Sequence, residues 1–437
     1  MRALRKNISP GLALLLIVIL EPILTAHGLA FATTLCVNPG GTSGCFSTIA
    51  AAVAHAAPHD TVKVAPGTYK EDVVIGQSVS LLGAHQTNTI IDAAGLSNGI
   101  YVDGFDNRHV SDVVISGFTV ENANFEGILV TNAVNVTISA NRVINNDRSL
   151  NISAATCPGL PSFETAEGFD CGEGIHLSGA LYSTVTNNTV NNNAGGILIS
   201  DDTGITEGNL ITGNTVKNNP FDCGIIMASH PPAPGTGATS PFGVRRNTIA
   251  NNASIHNGYQ VPGAGAGVGI FTFLPGGRVS ENVITSNQLK NNGLPGVAMH
   301  AHSPGEDLDN NVILGNNISG NGADTEDAAT PGSTGINVFG VSPINGTMIS
   351  QNVISNETVD IVVNTTGVSP FATAAIHRNL FLNSTIGVDY LPGSGYVDAT
   401  ENWWGCASGP GSPGCAKVLG MVFFKPWLSP FYYGGLE

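Results

Sequence analysis

The sequence predicts an all-β solenoid, a single chain wound coil upon coil into a parallel β-helix, and three observations predict it. A phrase of Gly, a β-branched residue, any residue and an apolar residue recurs, clearest at Gly196-Ile197-Leu198-Ile199 and returning at Gly127, Gly174, Gly224, Gly269, Gly296 and Gly335. A second phrase follows, Asn and then Ile, Val or Leu two residues on, headed by Asn141, Asn188, Asn214, Asn247, Asn287, Asn316, Asn352 and Asn379. The shortest steps, Asn188 to Asn214, Asn352 to Asn379 and Asn379 to Asn402, are 26, 27 and 23 residues. A period in the twenties marks stacked units that cannot bury an apolar face alone. The phrases alternate with period two and are too short for helices. The Gly and Asn between them tolerate left-handed turns. Ile128, Ile175, Ile197, Ile225, Ile270, Val297 and Ile336 are expected to point inward, and the Asn heads to form an internal amide ladder.

Taken in order, Arg2, Arg5 and Lys6 precede an apolar run from Gly11 to Leu20, ended by Glu21 and Pro22. The run is too short for a membrane span and suits an export signal, with Ala30-Phe31-Ala32 as cleavage site. Residues 1–32 are therefore expected to be a signal peptide. Residues 33–437 are expected to form one β-helix domain, secreted, periplasmic or at the cell surface, monomeric and without a membrane span. Seven cysteines fit an oxidising compartment: Cys36 with Cys45, Cys157 with Cys171, Cys406 with Cys415, and Cys223 left over. The alanine-rich stretch from Thr48 to Ala57 predicts a short capping helix (47–57) that plugs the open end of the stack. Residues 401–437 gather Trp403, Trp404 and Trp427 beside Phe423, Phe424, Phe431, Tyr432 and Tyr433, an aromatic cap over the last coil.

The repeat stretches where loops enter, at 149–170, 230–243, 253–266 and 321–333. Long loops on a rigid scaffold carry function, and they enter beside the glycine phrase, so the outer side of that strand should be a walled groove. Alternation places His176, Phe271 and Asn337 second after their glycines, Phe273, His300 and Phe339 fourth, and His302 just beyond. This aromatic and histidine-bearing row suits an extended polysaccharide, and these seven side chains are the expected substrate contacts. Asp201 and Asp202 lead the catalytic candidates, because glycoside hydrolysis uses two carboxylates. His230 stands one coil on at the offset of Asp202, and Glu173 is the nearest further carboxylate. His300-Ala301-His302 offers two imidazoles, too few to assign a metal, so neither metal nor cofactor is assigned. Calcium has candidate ligands at Glu306-Asp307-Leu308-Asp309 and Asp324-Thr325-Glu326-Asp327, but neither has the EF-hand spacing, and solvated acidic loops are expected there. With 16 Lys and Arg against 32 Asp and Glu, the chain repels nucleic acid.

The repeats after residue 47 resemble the right-handed parallel β-helix superfamily, the pectate-lyase-like fold of many secreted polysaccharide enzymes. The resemblance implies that fold and a carbohydrate partner. The helix-then-strand opening through Asp60-Thr61-Val62-Lys63-Val64 resembles pectin methylesterases, without a counterpart of their catalytic carboxylates and arginine. Asp201-Asp202 is similar to the paired aspartates of polygalacturonases, without the Asn-Thr-Asp, Gly-His-Gly and Arg-Ile-Lys motifs of that family. Pectate lyases of this fold use an arginine base and calcium, whereas Arg245, Arg246 and Arg278 fall outside the groove phrase. The repeats alone are also similar to the periplasmic β-helix factors that help assemble the copper site of nitrous oxide reductase. Two functions remain open: a glycoside hydrolase, with a lyase behind it, and a non-catalytic cell-surface or periplasmic binding solenoid.

Overall fold

The β-helix begins at its plug. Helix α1 (Ile49–His55) buries Ile49, Ala52 and Val53 against the first coil. Thr48 Oγ1 accepts from Ala51 N–H, and the Glu71 carboxylate accepts from Ile49 N–H and Ala50 N–H at 2.8 Å each. All three bonds satisfy amides that a helix start leaves unpaired. The structure is a computed structural model and describes residues 32–147, 157, 159–163, 171–260, 265–367, 370–391 and 394–429. The apolar N-terminal run, most of the 149–170 loop, and Phe431, Tyr432 and Tyr433 lie outside the described residues. Among the described residues, no helix is long and apolar enough to cross a membrane.

Among those residues three long parallel sheets of fourteen, twelve and eleven strands run along the stack, with a three-stranded strip beside them. The twelve-stranded sheet carries the glycine phrases. Ile128, Ile175, Ile197 and Ile225 lie one above another in register and are wholly buried. One phrase sits elsewhere than the sequence suggests. Ile225 pairs with Val268 and Met227 with Ile270, so the aligned phrase starts at Gly267, two residues before Gly269. A two-residue slip preserves the period-two face, so Ile270 still points inward, fully buried.

The amide ladder is real and threefold. One ladder climbs Asn141, Asn188, Asn214, Asn252, Asn287, Asn316, Asn352, Asn379 and Asn402. Asn247, assigned to it from the sequence, belongs to a second ladder with Asn209, Asn282 and Asn311. The near-repeat Asn247-Thr248-Ile249 and the next Asn pair offer two heads five residues apart, and spacing alone cannot choose between them. A third ladder runs Asn146, Asn193, Asn219, Asn257, Asn292 and Asn321. In each ladder an Oδ1 accepts both the backbone N–H and the side-chain amide of the coil before. Every member of the first ladder follows a left-handed residue: Ala140, Asn187, Gly213, Asn251, Ser286, Gly315, Gln351, Arg378 and Glu401. The turn is thus imposed by the ladder even where the residue itself disfavours it.

The third ladder ends on an acid. Glu357 Oε1 accepts from Asn321 N–H at 3.0 Å and from its side-chain amide at 3.1 Å. Burial pushes the Glu357 carboxyl up from 4.5 to about 7, against the bonds from Asn321 that pull it down. The fold therefore binds a proton that the unfolded chain has lost. Its contribution is full below 4.5 and vanishes as pH rises through 7. Glu357→Gln keeps the acceptor without the charge. We expect it to match the parent in thermal melts at pH 4 and to exceed it at pH 8 by about 1 to 3 kcal/mol. Equal melts at both pH values would refute the account.

The disulfides Cys36–Cys45, Cys157–Cys171 and Cys406–Cys415 form as the spacing suggests, and Cys223 is buried outside them. At the far end Trp404 is wholly buried, its ring 5.0 Å from that of Phe381, and Trp427 lies 6.5 Å from Phe424.

Candidate functional site

The outward side chains of the glycine sheet form three columns along the axis. The first runs Leu129, His176, Leu198, Ile226, Gly269, Ala298 and Asn337. The second runs Thr131, Ser178, Ser200, Ala228, Phe271, His300 and Phe339. Two residues beyond the second stand Asp202, His230, Phe273 and His302. The slip at Gly267 places Phe271 and Phe273 in the columns of His300 and His302.

The sequence leads one to expect an open face, but the loops roof much of it. Leu198, Ile226, Ala228, Phe271 and Ala298 form a second apolar cluster with Cys223, Ala266 and Leu294. His176, His230, His300 and Asn337 are each no more than 2% exposed. A row of apolar and aromatic side chains reads the same whether its cover is a ligand or the chain's own loops.

Beneath that roof lies a chain of polar groups. His176 Nδ1 is 3.1 Å from Glu126 Oε1, and its Nε2 is 2.7 Å from Ser200 Oγ. Ser200 Oγ donates to Asp202 Oδ2 through a short bond. His230 Nδ1 stands 3.1 Å from Asp202 Oδ1. Glu126 Oε2 accepts from Glu173 N–H at 2.7 Å. Burial works to raise Asp202, but His230 above all, and His176 with Ser200, hold its carboxyl far below the usual range. The spacing resembles a Glu-His-Ser relay, with Ser200 fully buried and in contact with both His176 and Asp202. The sequence reading missed Glu126, although it precedes Gly127 as Glu173 precedes Gly174, and that offset was the available signal.

Asp201 faces away from Asp202, into the loop that follows His230. Its carboxylate accepts from Ser229 Oγ at 2.9 Å, His230 N–H at 2.7 Å and Gly243 N–H at 2.6 Å. Burial nevertheless keeps its carboxyl raised. The two adjacent aspartates, both wholly buried, thus belong to separate environments, one a loop clamp and the other part of the histidine relay.

The open part lies further along the axis. Phe273 is 44% exposed. It stacks on His302 with ring centroids 5.1 Å apart and planes 7° from parallel, and also neighbours His230 at 5.6 Å and Phe271 at 6.3 Å. His302 Nε2 reaches Glu326 Oε2 at 2.8 Å, and its Nδ1 lies 2.7 Å from Thr272 O. His300 Nδ1 lies 3.2 Å from the same Glu326 oxygen, and its Nε2 is 2.6 Å from Asp324 Oδ2. Burial opposes the charged ring, but Asp324 and Glu326 outweigh it and hold His300 up at about 9. Asn337 Nδ2 donates to Asp324 Oδ2 at 3.0 Å, and Phe339 meets the His300 ring edge-on at 5.4 Å. The 324–327 segment, expected as a solvated loop, is therefore built into the site: Asp324 is buried against His300 and Asn337, and Asp327 is buried with Asn364 donating to its Oδ1. Glu306 is buried as well, its carboxylate accepting from Ser303 N–H at 2.8 Å.

The arginines stay away from this face. Arg245 and Arg246 pair with Glu207 at 2.9 Å, and Arg278 pairs with Glu281 and Asp307 at 2.9 Å, along the three-stranded strip.

A family described as the right handed beta helix region matches residues 80–233. No curated protein matches the chain in sequence. Among solved structures, the Dettilon tailspike protein aligns at 14% identity and a TM-score of 0.57, over 89% of this chain and 68% of its own. The catalytic domain of a GH87 alpha-1,3-glucanase in complex with tetrasaccharides aligns at 13% identity and 0.52, over 97% and 70%. The A-module of mannuronan C-5 epimerase AlgE6 from Azotobacter vinelandii aligns at 14% and 0.51, over 81% and 94%. At such identities the likeness concerns the fold. Coil register, ladders and the family match over residues 80–233 together show the fold of a right-handed parallel β-helix.

Proposed function

We propose that this is an exported, carbohydrate-active β-helix that holds a polysaccharide at the open end of the outer face of its glycine sheet. The observation that carries the reading is the exposed Phe273 ring, stacked on His302 beside Glu326 at the open end of the polar column. A flat apolar surface flanked by hydrogen-bonding groups is what a sugar ring, apolar on one face and hydroxylated at its edge, requires. The names of the similar structures, an alpha-1,3-glucanase and a mannuronan epimerase, support the substrate class. The three disulfides support an oxidising compartment.

Hydrolysis is the second reading, favoured by one observation: Asp202 is linked to His230 and, through Ser200 and His176, to Glu126, a chain of groups able to carry a proton. A polysaccharide panel, read for binding and for new reducing ends, tests both. Binding is expected, and Phe273→Ala is expected to weaken it about tenfold, roughly the 1.4 kcal/mol from burying one exposed ring. An unchanged affinity removes the platform. Saturated product that is lost in Asp202→Asn makes the chain a hydrolase, unsaturated product makes it a lyase, and binding without product leaves recognition alone.

A further inference from the structure

We infer that His300, His302 and Glu326 form a binding site for one divalent transition-metal ion. Their ligand atoms lie within 4.8 Å of one another. Two ring nitrogens converge on a single oxygen, Glu326 Oε2, at 3.2 Å from His300 and 2.8 Å from His302. Atoms held about 2.1 Å from one ion at tetrahedral angles stand about 3.4 Å apart, so each nitrogen already lies near a ligand's distance from the shared oxygen.

The opposite nitrogen of each ring is anchored in the manner of metal-bound histidines, which give their second nitrogen to a carboxylate or carbonyl. His300 Nε2 faces Asp324 Oδ2 at 2.6 Å, and His302 Nδ1 faces Thr272 O at 2.7 Å. These contacts fix which nitrogen of each ring points at Glu326. Asp324 is itself oriented by Asn337, whose fully buried Oδ1 has no protein partner among the described residues, an acceptor left over beside the triad. His300 is buried, whereas the His302 side chain is 25% exposed and that of Glu326 is 52% exposed, so an ion has a path in and solvent-facing positions remain. Two imidazoles and one carboxylate favour zinc, cobalt or manganese over calcium, which takes six to eight oxygens.

This site shares His302 and Glu326 with the polysaccharide platform, but its test needs no substrate, so it stands or falls separately. The untagged, metal-stripped chain is titrated with Zn²⁺ by calorimetry and with Co²⁺ by visible absorption, with Ca²⁺ as comparison. One ion per chain is expected, with ligand-field bands for Co²⁺. Glu326→Gln, at an exposed position that spares the fold, is expected to cost at least about 100-fold in affinity. Asp324→Asn is expected to cost about 10- to 100-fold by releasing His300. Three results overturn the site: no Zn²⁺ binding below millimolar, equal affinity in Glu326→Gln, or binding lost instead in Glu126→Gln, which assigns the ion to the buried Glu126, Glu173 and His176 cluster.

Discussion

Asn252→Ala is expected to lower the unfolding free energy by about 3 kcal/mol, far more than the loss of one polar side chain at a surface. Asn252 is 2% exposed. Its Oδ1 accepts Asn214 N–H at 2.9 Å and the Asn214 side-chain amide at 3.0 Å, and its own amide donates to Ile211 O and Asn287 Oδ1. Alanine strands the Asn214 N–H and side-chain amide in the stack, where each orphaned group costs about 1 to 3 kcal/mol. Urea unfolding measures it as a shift in midpoint. Asn218→Ala, which removes bonds to Asn191 Oδ1 and His256 Nδ1 at a partly exposed turn, is the control and is expected to cost about 1 kcal/mol. Equal losses in the two variants would show that the ladder adds nothing beyond local turn bonding.

Asp201→Ala is expected to cost about 3 to 5 kcal/mol and to release the segment after His230. Three donors, Ser229 Oγ, His230 N–H and Gly243 N–H, converge on this carboxylate, and removing one side of a buried, charge-assisted set leaves the other side unpaired. The variant should melt earlier and be nicked by protease between residues 230 and 243 while the parent stays intact. An aspartate retained only for chemistry behaves oppositely, since its removal leaves stability unchanged or higher. A parent-like melt for Asp201→Ala would therefore return this residue to the catalytic candidates.

The coil was legible in the sequence because its chemistry repeats. Inward Ile and Val, ladder Asn and turn Gly recur at offsets that only stacking explains, and the period-two face survives even the slip from Gly269 to Gly267. The site was legible only in its residue types. His300, His302, Phe273 and Asp202 were singled out, yet their mutual distances depend on register between coils 28 residues or more apart in the chain. Asp324 and Glu326 read as ordinary acidic loop residues because nothing local announces that a loop folds back over two histidines. Asp201 and Asp202 read as a pair because they are adjacent, whereas successive residues of an extended chain face opposite ways.

The third ladder has a chemical consequence. Asn257, Asn292 and Asn321 are each followed by glycine, the neighbour that least hinders backbone nitrogen from attacking the side-chain amide to form a succinimide. In the stack each amide is buried, and its nitrogen is tied to a carbonyl and to the next coil, so that attack has no geometry. Once the coil opens, the same three positions deamidate, and each event writes a permanent carboxylate into a column of neutral amides. Damage accumulates only during excursions from the folded state, so the ageing of this protein is a clock driven by how often its coils part.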